Sequence, residues 1–235
     1  MPLRVQNVSP VGGIVEKTMT LEVEVFWSFR SPYSYLATPR MVALEKDWDL
    51  KFLVRPVYPI AVRLDGWFKN ANPMWLPYLV RDVMREAERH ATPFAWPRPD
   101  PILMDMATGN VSKQQPYIHR LTRLGVAASE RGRGLPFIYE VSSTLYGGRI
   151  ENWHEGNHLS EATARAGLNL ADLDSAIERD ADRHEAVIKE NEAAHRKAGH
   201  WGVPTFAFKG EPFFGQDRID ALLWRLQKNG LKRRA

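Results

Sequence analysis

Four consecutive residues, Ser31-Pro32-Tyr33-Ser34, carry the strongest chemical signal in the chain. Serine is a favoured N-cap and proline is favoured at the first helical position, so a helix begins here with hydroxyls in its first turn. The free backbone N–H groups and the positive end of the helix dipole stabilise whatever anion is brought to such a position. The chain has no cysteine, so it supplies no sulfur itself, but a serine there can host the thiolate of another molecule. The plainer reading is that Ser31 is only a cap, contributing about 1 kcal/mol to the helix. Arg30 precedes it. Pointing inward, it would depress the pKa of a nearby thiol and pair with a substrate carboxylate; pointing outward, it is a solvated charge beside an inward-facing Phe29. A second pattern, His154-Glu155-Gly156-Asn157-His158, has the spacing of zinc proteases in which two histidines bind metal and the glutamate is the base. That chemistry requires a helix, and Gly156 and Asn157 are poor helix formers at its centre, so no metal site is expected.

The elements that must position Ser31 can be read from periodicity. Thr20 to Trp27 alternates charged and apolar residues and then turns wholly apolar, as a strand does when it runs from a sheet edge into a core. The helix that follows runs from Ser31 to about Lys46, with Tyr35, Leu36, Met41 and Leu44 at helical spacing. Leu50 to Val57 is a second strand that ends at Pro56 or just beyond, which completes a βαβ unit. From Tyr58 to about Gly199 the pattern is helical, clearest over Met74–Ala91, Gln114–Arg131, Phe137–Gly147 and Leu170–Ala198, with Leu159–Gly167 a further helical stretch. Pro93 to Pro101 holds four prolines and must be an extended loop. Pro204–Lys209 and Pro212–Phe214, separated by Gly210 and Glu211, read as a β-hairpin, and Asp217–Lys228 closes the chain as an amphipathic helix. The expected fold class is therefore α/β, with residues 20–57 and 200–230 forming one sheet domain, 58–199 a helical insertion and 1–19 an N-terminal arm.

Phe26–Ala37, Gly202–Phe206 (GVPTF) and Phe213–Arg218 (FFGQDR) together resemble the family of 2-hydroxychromene-2-carboxylate isomerases and kappa-class glutathione transferases. Order and spacing match along residues 21 to 230. The resemblance implies a DsbA-like thioredoxin fold, glutathione as cofactor and a homodimer. It implies that Ser31 is the catalytic hydroxyl that stabilises the glutathione thiolate, which adds to a conjugated carbon, permits rotation and leaves without net redox change. It further implies that Pro204 is a cis-proline and that the backbone of Val203 pairs with the tripeptide's cysteine moiety. Gln216 and Asp217 are matched to the γ-glutamyl end, where a carboxylate faces the ammonium group. Asn72 falls near an asparagine of the family's insertion loop and joins the cofactor-binding set. Arg30, Tyr33, Trp67 and Trp75 are the candidates for a pocket that takes an aromatic or conjugated, anionic small molecule. Trp201, Phe213 and Phe214 are further aromatic candidates for its walls, whereas Trp27, at the end of a strand, reads as core. The chain departs from the family at Ser28, where an acidic residue is common, and at Arg30, where an apolar residue is common. Those departures keep a second reading open, a non-catalytic thioredoxin-fold module that binds a thiol or peptide.

Composition excludes several classes. Of 235 residues, 44% are hydrophobic and 26% charged, which is ordinary for a protein that buries one large core. The absence of cysteine removes disulfides, zinc ribbons, iron–sulfur clusters and thiol nucleophiles of the chain's own. The net charge of +4 equals the contribution of Lys228, Lys232, Arg233 and Arg234 at the C-terminus, so no basic surface for nucleic acid is expected. No apolar run reaches membrane-spanning length, and Pro10, Gly12 and Gly13 interrupt the apolar stretch near the start, so a cytoplasmic protein without membrane partners is expected.

Overall fold

A computed structural model describes residues 20–105 and 108–234; the expected N-terminal arm lies outside the described residues. Strand β1 (Leu21–Trp27) leads to α1 (Pro32–Asp47) and β2 (Leu50–Pro56). Then come α2 (Ile60–Arg63), α3 (Trp67–Asn70), α4 (Trp75–Arg89), α5 (Ile118–Glu130) and α6 (Gly134–Tyr146). They are followed by α7 (His158–Arg165), α8 (Leu170–Arg179) and α9 (Ala181–Lys197). Strands β3 (Thr205–Phe208) and β4 (Glu211–Phe214), a 3-10 turn over Gln216–Arg218 and α10 (Ile219–Lys228) complete the described chain.

The sheet order is β2-β1-β3-β4. β1 pairs in parallel with β2, from Leu21 opposite Leu50 to Trp27 opposite Pro56, and antiparallel with β3. β1 is central, and Val23, Val25, Phe26 and Trp27 are each fully buried, which is why its sequence loses its polar alternation toward the C-terminal end. Residues of the sheet, of α1 and α10, and of the helices between β2 and β3 share one apolar cluster, including Val25, Leu36, Phe137, Leu173 and Leu222.

Among the boundaries that differ from expectation, two have a local physical reason. The hairpin turn is Lys209–Gly210 rather than Gly210–Glu211: Phe208 pairs with Glu211, and both turn residues have positive φ, 50° and 82°. That conformation matches the right-handed twist of the flanking strands, so Glu211 joins β4. The helix expected over Leu170–Ala198 is two helices, interrupted at Asp180 with φ −120° and ψ 43°. The Asp180 carbonyl lies 2.8 Å from Nδ1 of the fully buried His184, and the break lets both α8 and α9 pack on α5. The His154–His158 pattern lies in the turn before α7 and at its first residue, so the two histidines do not share a helix face.

Candidate functional site

The end of β1 and the start of α1 are held rigidly. The indole N–H of Trp27 donates to the Ser34 carbonyl at 3.0 Å and to Thr38 Oγ1 at 3.1 Å, tying the strand's last residue to the helix's first turns. Phe29 packs edge-on against Trp27, with ring centroids 4.7 Å apart, and its carbonyl accepts a 3.2 Å bond from the Tyr146 hydroxyl. Ser31 is thereby fixed as the N-cap: its Oγ accepts the Ser34 N–H at 3.1 Å. No acidic side chain lies in the first turn of α1 to compete for its positive end.

The Ser31 hydroxyl donates to the Val203 carbonyl at 3.3 Å, across 172 positions of sequence. The Val203–Pro204 peptide is cis. The Gly215 N–H donates to the Pro204 carbonyl at 2.9 Å, which brings the segment after β4 against the same loop. Ser31, Val203, Pro204 and the residues just after Gly215 therefore converge, although the sequence separates them widely.

Beside Ser31 lies a cavity of about 220 Å³. Ser28, Ser31 and Tyr33 form one side, and Trp67, Trp75 and Trp201 line it as well. Trp67 stands edge-on to Trp75 at 6.3 Å and tilted to Trp201 at 5.2 Å, so rings from α3, α4 and the loop before Pro204 form one aromatic wall. The Tyr33 hydroxyl donates to Asp82 at 2.8 Å. Burial first, and then the Asp82 carboxylate, push the phenol's pKa far above its ordinary value, so it remains a neutral donor. Phe214 also lines the cavity, while Trp27 and Phe213 belong to the buried core.

Arg30 does line the cavity but does not present a free charge. Its guanidinium makes a two-bond fork with Asp100 at 3.0 and 2.9 Å and lies 5.2 Å from the centre of the Phe68 ring. Asp100, a residue of the proline-rich loop, is the carboxylate that Arg30 meets within the protein. Asn72 is also placed elsewhere. It is exposed, its Oδ1 accepts the Met74 N–H at 2.9 Å ahead of α4, and it does not line the cavity.

Gln216 and Asp217 sit next to the Pro204 loop in a charged patch rather than in the apolar cavity. Gln216 is buried, its Nε2 donates to Glu86 at 2.6 Å, and its carbonyl accepts from Arg40 at 2.8 Å. Its side chain is thus committed within the protein, and a ligand would meet its backbone and its neighbours. Asp217 is more than half exposed, with Arg218 at 3.5 Å. The hydrogen bond from Arg89 holds the Glu86 carboxyl below its usual range.

Among the lining residues that sequence reasoning did not place in this cavity are Arg63 at the end of α2, Trp96 and Asp100 of the proline-rich loop, and Tyr146 of α6. Ser28 also lines it, at 1% exposure and with its Oγ lacking a hydrogen-bond partner among the described residues. The only signal for Arg63 was its position a few residues beyond the end of a parallel strand, where α/β folds place their ligands. Trp96 was signalled by a large aromatic among prolines.

Comparison with known proteins identifies the fold. Residues 22–227 match the DsbA-like thioredoxin domain. The chain is 22% identical over 209 residues to glutathione S-transferase kappa 1 of Rattus norvegicus, covering 87% of this chain and 90% of the relative. A solved 2-hydroxychromene-2-carboxylate isomerase superimposes with a TM-score of 0.64 at 19% identity, over 88% of this chain and 95% of that one. The cytosolic disulfide reductase DsbM of Pseudomonas aeruginosa superimposes with a TM-score of 0.55 at 16% identity, over 89% and 100% of the two chains. The fold, the cis-proline facing the first helix and the extent of the match agree: the chain belongs to the DsbA-like thioredoxin domain family, as a member with no cysteine.

Proposed function

We propose that the protein is a glutathione-dependent isomerase or transferase of the 2-hydroxychromene-2-carboxylate isomerase type, acting on an aromatic or conjugated small molecule. The observation that carries this reading is the Ser31 hydroxyl, set at the positive end of α1, facing Val203 and opening on an aromatic cavity in a chain without sulfur nucleophiles. When bound, glutathione supplies a thiolate that adds to a conjugated carbon and leaves again, or stays attached in a transfer reaction.

The chain's own residues have defined tasks. Ser31 Oγ keeps the Ser34 N–H as acceptor, so its own proton is free to turn from the Val203 carbonyl, a long 3.3 Å contact, toward a thiolate. The α1 terminus adds favourable potential for the same charge. The backbone of Val203 pairs with the cysteine moiety as a short added strand. Asp217 faces the γ-glutamyl ammonium, and Gln216 holds the segment in place through Arg40 and Glu86. Trp67, Trp75 and Trp201 exclude water from the reacting atoms and stack on a flat substrate.

We also place the protein in the cytoplasm as a homodimer. No helix among the described residues is long and apolar enough to cross a membrane. On α4, Leu76, Val80 and Met84 recur at i, i+4 and i+8 and are 43%, 40% and 50% exposed, an apolar stripe suited to a second copy.

Isothermal titration of reduced glutathione and S-methylglutathione into the protein tests the reading, with Ser31→Ala and Asp217→Ala as controls. Binding that favours the free thiol, and that weakens in both variants, is expected. Absence of binding at millimolar ligand would refute glutathione as the cofactor and move the non-catalytic module to first place.

A further inference from the structure

Three hydrogen bonds fix the backbone that faces Ser31. The Gly202 N–H donates to Nδ1 of His200 at 2.9 Å, the Thr205 hydroxyl donates to the Gly202 carbonyl at 2.6 Å, and the Ser31 hydroxyl donates to the Val203 carbonyl. Two of these partners are hydroxyls that keep their protons at every ordinary pH; the third, an imidazole, titrates. The His200 ring is itself clamped, stacked on Phe214 with centroids 3.8 Å apart at 21° and on Trp201 at 5.4 Å. Gly202 lies directly against it, since a Cβ there would run into the Phe214 and His200 rings. Trp201, Gly202, Val203 and Phe214 all line the cavity, so the acceptor sits behind the wall that flanks Ser31.

An imidazole nitrogen accepts an N–H only while it carries no proton, so this contact requires the neutral ring with its hydrogen on Nε2. A proton on Nδ1 sets a donor against a donor and leaves the Gly202 N–H unpaired. The surroundings do not favour the charged ring. His195 faces the loop from α9, Arg63 reaches the Trp201 carbonyl from α2, and β4 contributes the uncharged Phe214. No carboxylate among the described residues pairs with His200, and burial holds its pKa below the ordinary histidine value.

We infer that His200 is a positioning residue that works as a proton-operated latch: neutral, it holds the Gly202–Val203 backbone ready for the thiol peptide, and protonated, it lets that backbone go. This rests on the reading of Val203 as the peptide's backbone partner.

The experiment compares the wild type with His200→Asn and His200→Phe. The Asn side-chain oxygen stands where Nδ1 does and accepts the N–H two residues on without titrating, whereas a phenyl ring keeps the stack and accepts nothing. The probe is S-methylglutathione, which has no thiol to titrate, and its affinity is measured from about pH 7.5 down to about 5, across the histidine range. The wild type is expected to bind about 2- to 10-fold more weakly at the acid end, the worth of one hydrogen bond. His200→Phe is expected to bind at that weaker level throughout, and His200→Asn at the stronger level throughout. Amide hydrogen exchange at Gly202 reads the latch with no ligand: protection relative to the intrinsic rate falls with pH in the wild type, is lost in His200→Phe and persists in His200→Asn. His200→Asn that follows the wild-type pH profile overturns the proposal, and so does Gly202 protection that is the same in all three proteins at every pH. Where S-methylglutathione binds none of the three, the cofactor reading fails, and the exchange pattern alone upholds or overturns the latch.

Discussion

His195 links the acid stability of the fold to the wall of the candidate site. It lies on α9, is fully buried, and stacks on Phe26 with ring centroids 4.6 Å apart at 12°. Neither ring nitrogen has a hydrogen-bond partner among the described residues, and the nearby Gly202 N–H is given to His200 Nδ1 at 2.9 Å. Burial, reinforced by the positive charge of Arg63, pushes the imidazole pKa down to about 4. In the unfolded chain it titrates near ~6.5. Between these values the unfolded state binds a proton that the native state refuses. The stability from His195 is therefore fully present above ~6.5 and is lost progressively as the pH falls toward the native pKa. The slope is about 1.4 kcal/mol per pH unit and the full loss about 3 kcal/mol. Urea unfolding at a series of pH values reads this directly, with His195→Phe as the reference because a phenyl ring keeps the stack and cannot titrate. Between about pH 6.5 and 5 the wild type should lose roughly 2 kcal/mol more than the variant. His90, His119 and His200, whose pKa values are also lowered by burial, remain in both proteins and cancel in the difference. Parallel stability curves for the two proteins would refute the reasoning.

Gly215 has φ 106°, and a Cβ there would press on Asp217 Oδ1. Gly215→Ala should cost about 1–3 kcal/mol through its strained backbone, read by denaturant unfolding, and should weaken glutathione binding as Asp217→Ala does. Asp100→Ala strips Arg30 of both bonds and removes the acceptor of the Ile102 N–H at 2.9 Å. With Asp100 nearly half exposed, the expected loss is only about 1–2 kcal/mol, measured the same way. Val80→Glu together with Met84→Glu on α4 should convert a dimer to monomer in sedimentation experiments without altering the circular dichroism of the fold; an unchanged sedimentation coefficient removes this face as the interface.

Much of the fold and part of the site could be read from local pattern. The order of β1, α1 and β2 followed from the alternation in Leu21–Trp27 and from Ser31-Pro32, because a cap and an N-terminal proline act within one turn of helix. The hairpin was legible as a hairpin but shifted by one residue. A turn's register depends on whether both central residues can take positive φ, and Lys209, an unfavourable residue for that, takes it here. The break at Asp180 was invisible because helical spacing continues through it, and only packing on α5 requires it.

The amino-acid sequence alone determined the chemistry available to this protein: hydroxyls rather than sulfurs at the start of α1, a proline in place to follow Val203, and aromatic residues without an assigned core. It determined these because each is a property of one residue or one turn of chain. Which cation is free was decided only by tertiary structure. Arg30 is met by Asp100, 70 positions away, whereas Arg63 has, among the described residues, no carboxylate in ion-pair distance. Asn72 stands outside the cavity, accepting the Met74 N–H, and the Gln216 side chain turns to Glu86, for the same reason. The worth of a charge or an amide depends on what lies within a few ångströms of it, and in a folded chain those neighbours are set by long-range packing rather than by sequence proximity.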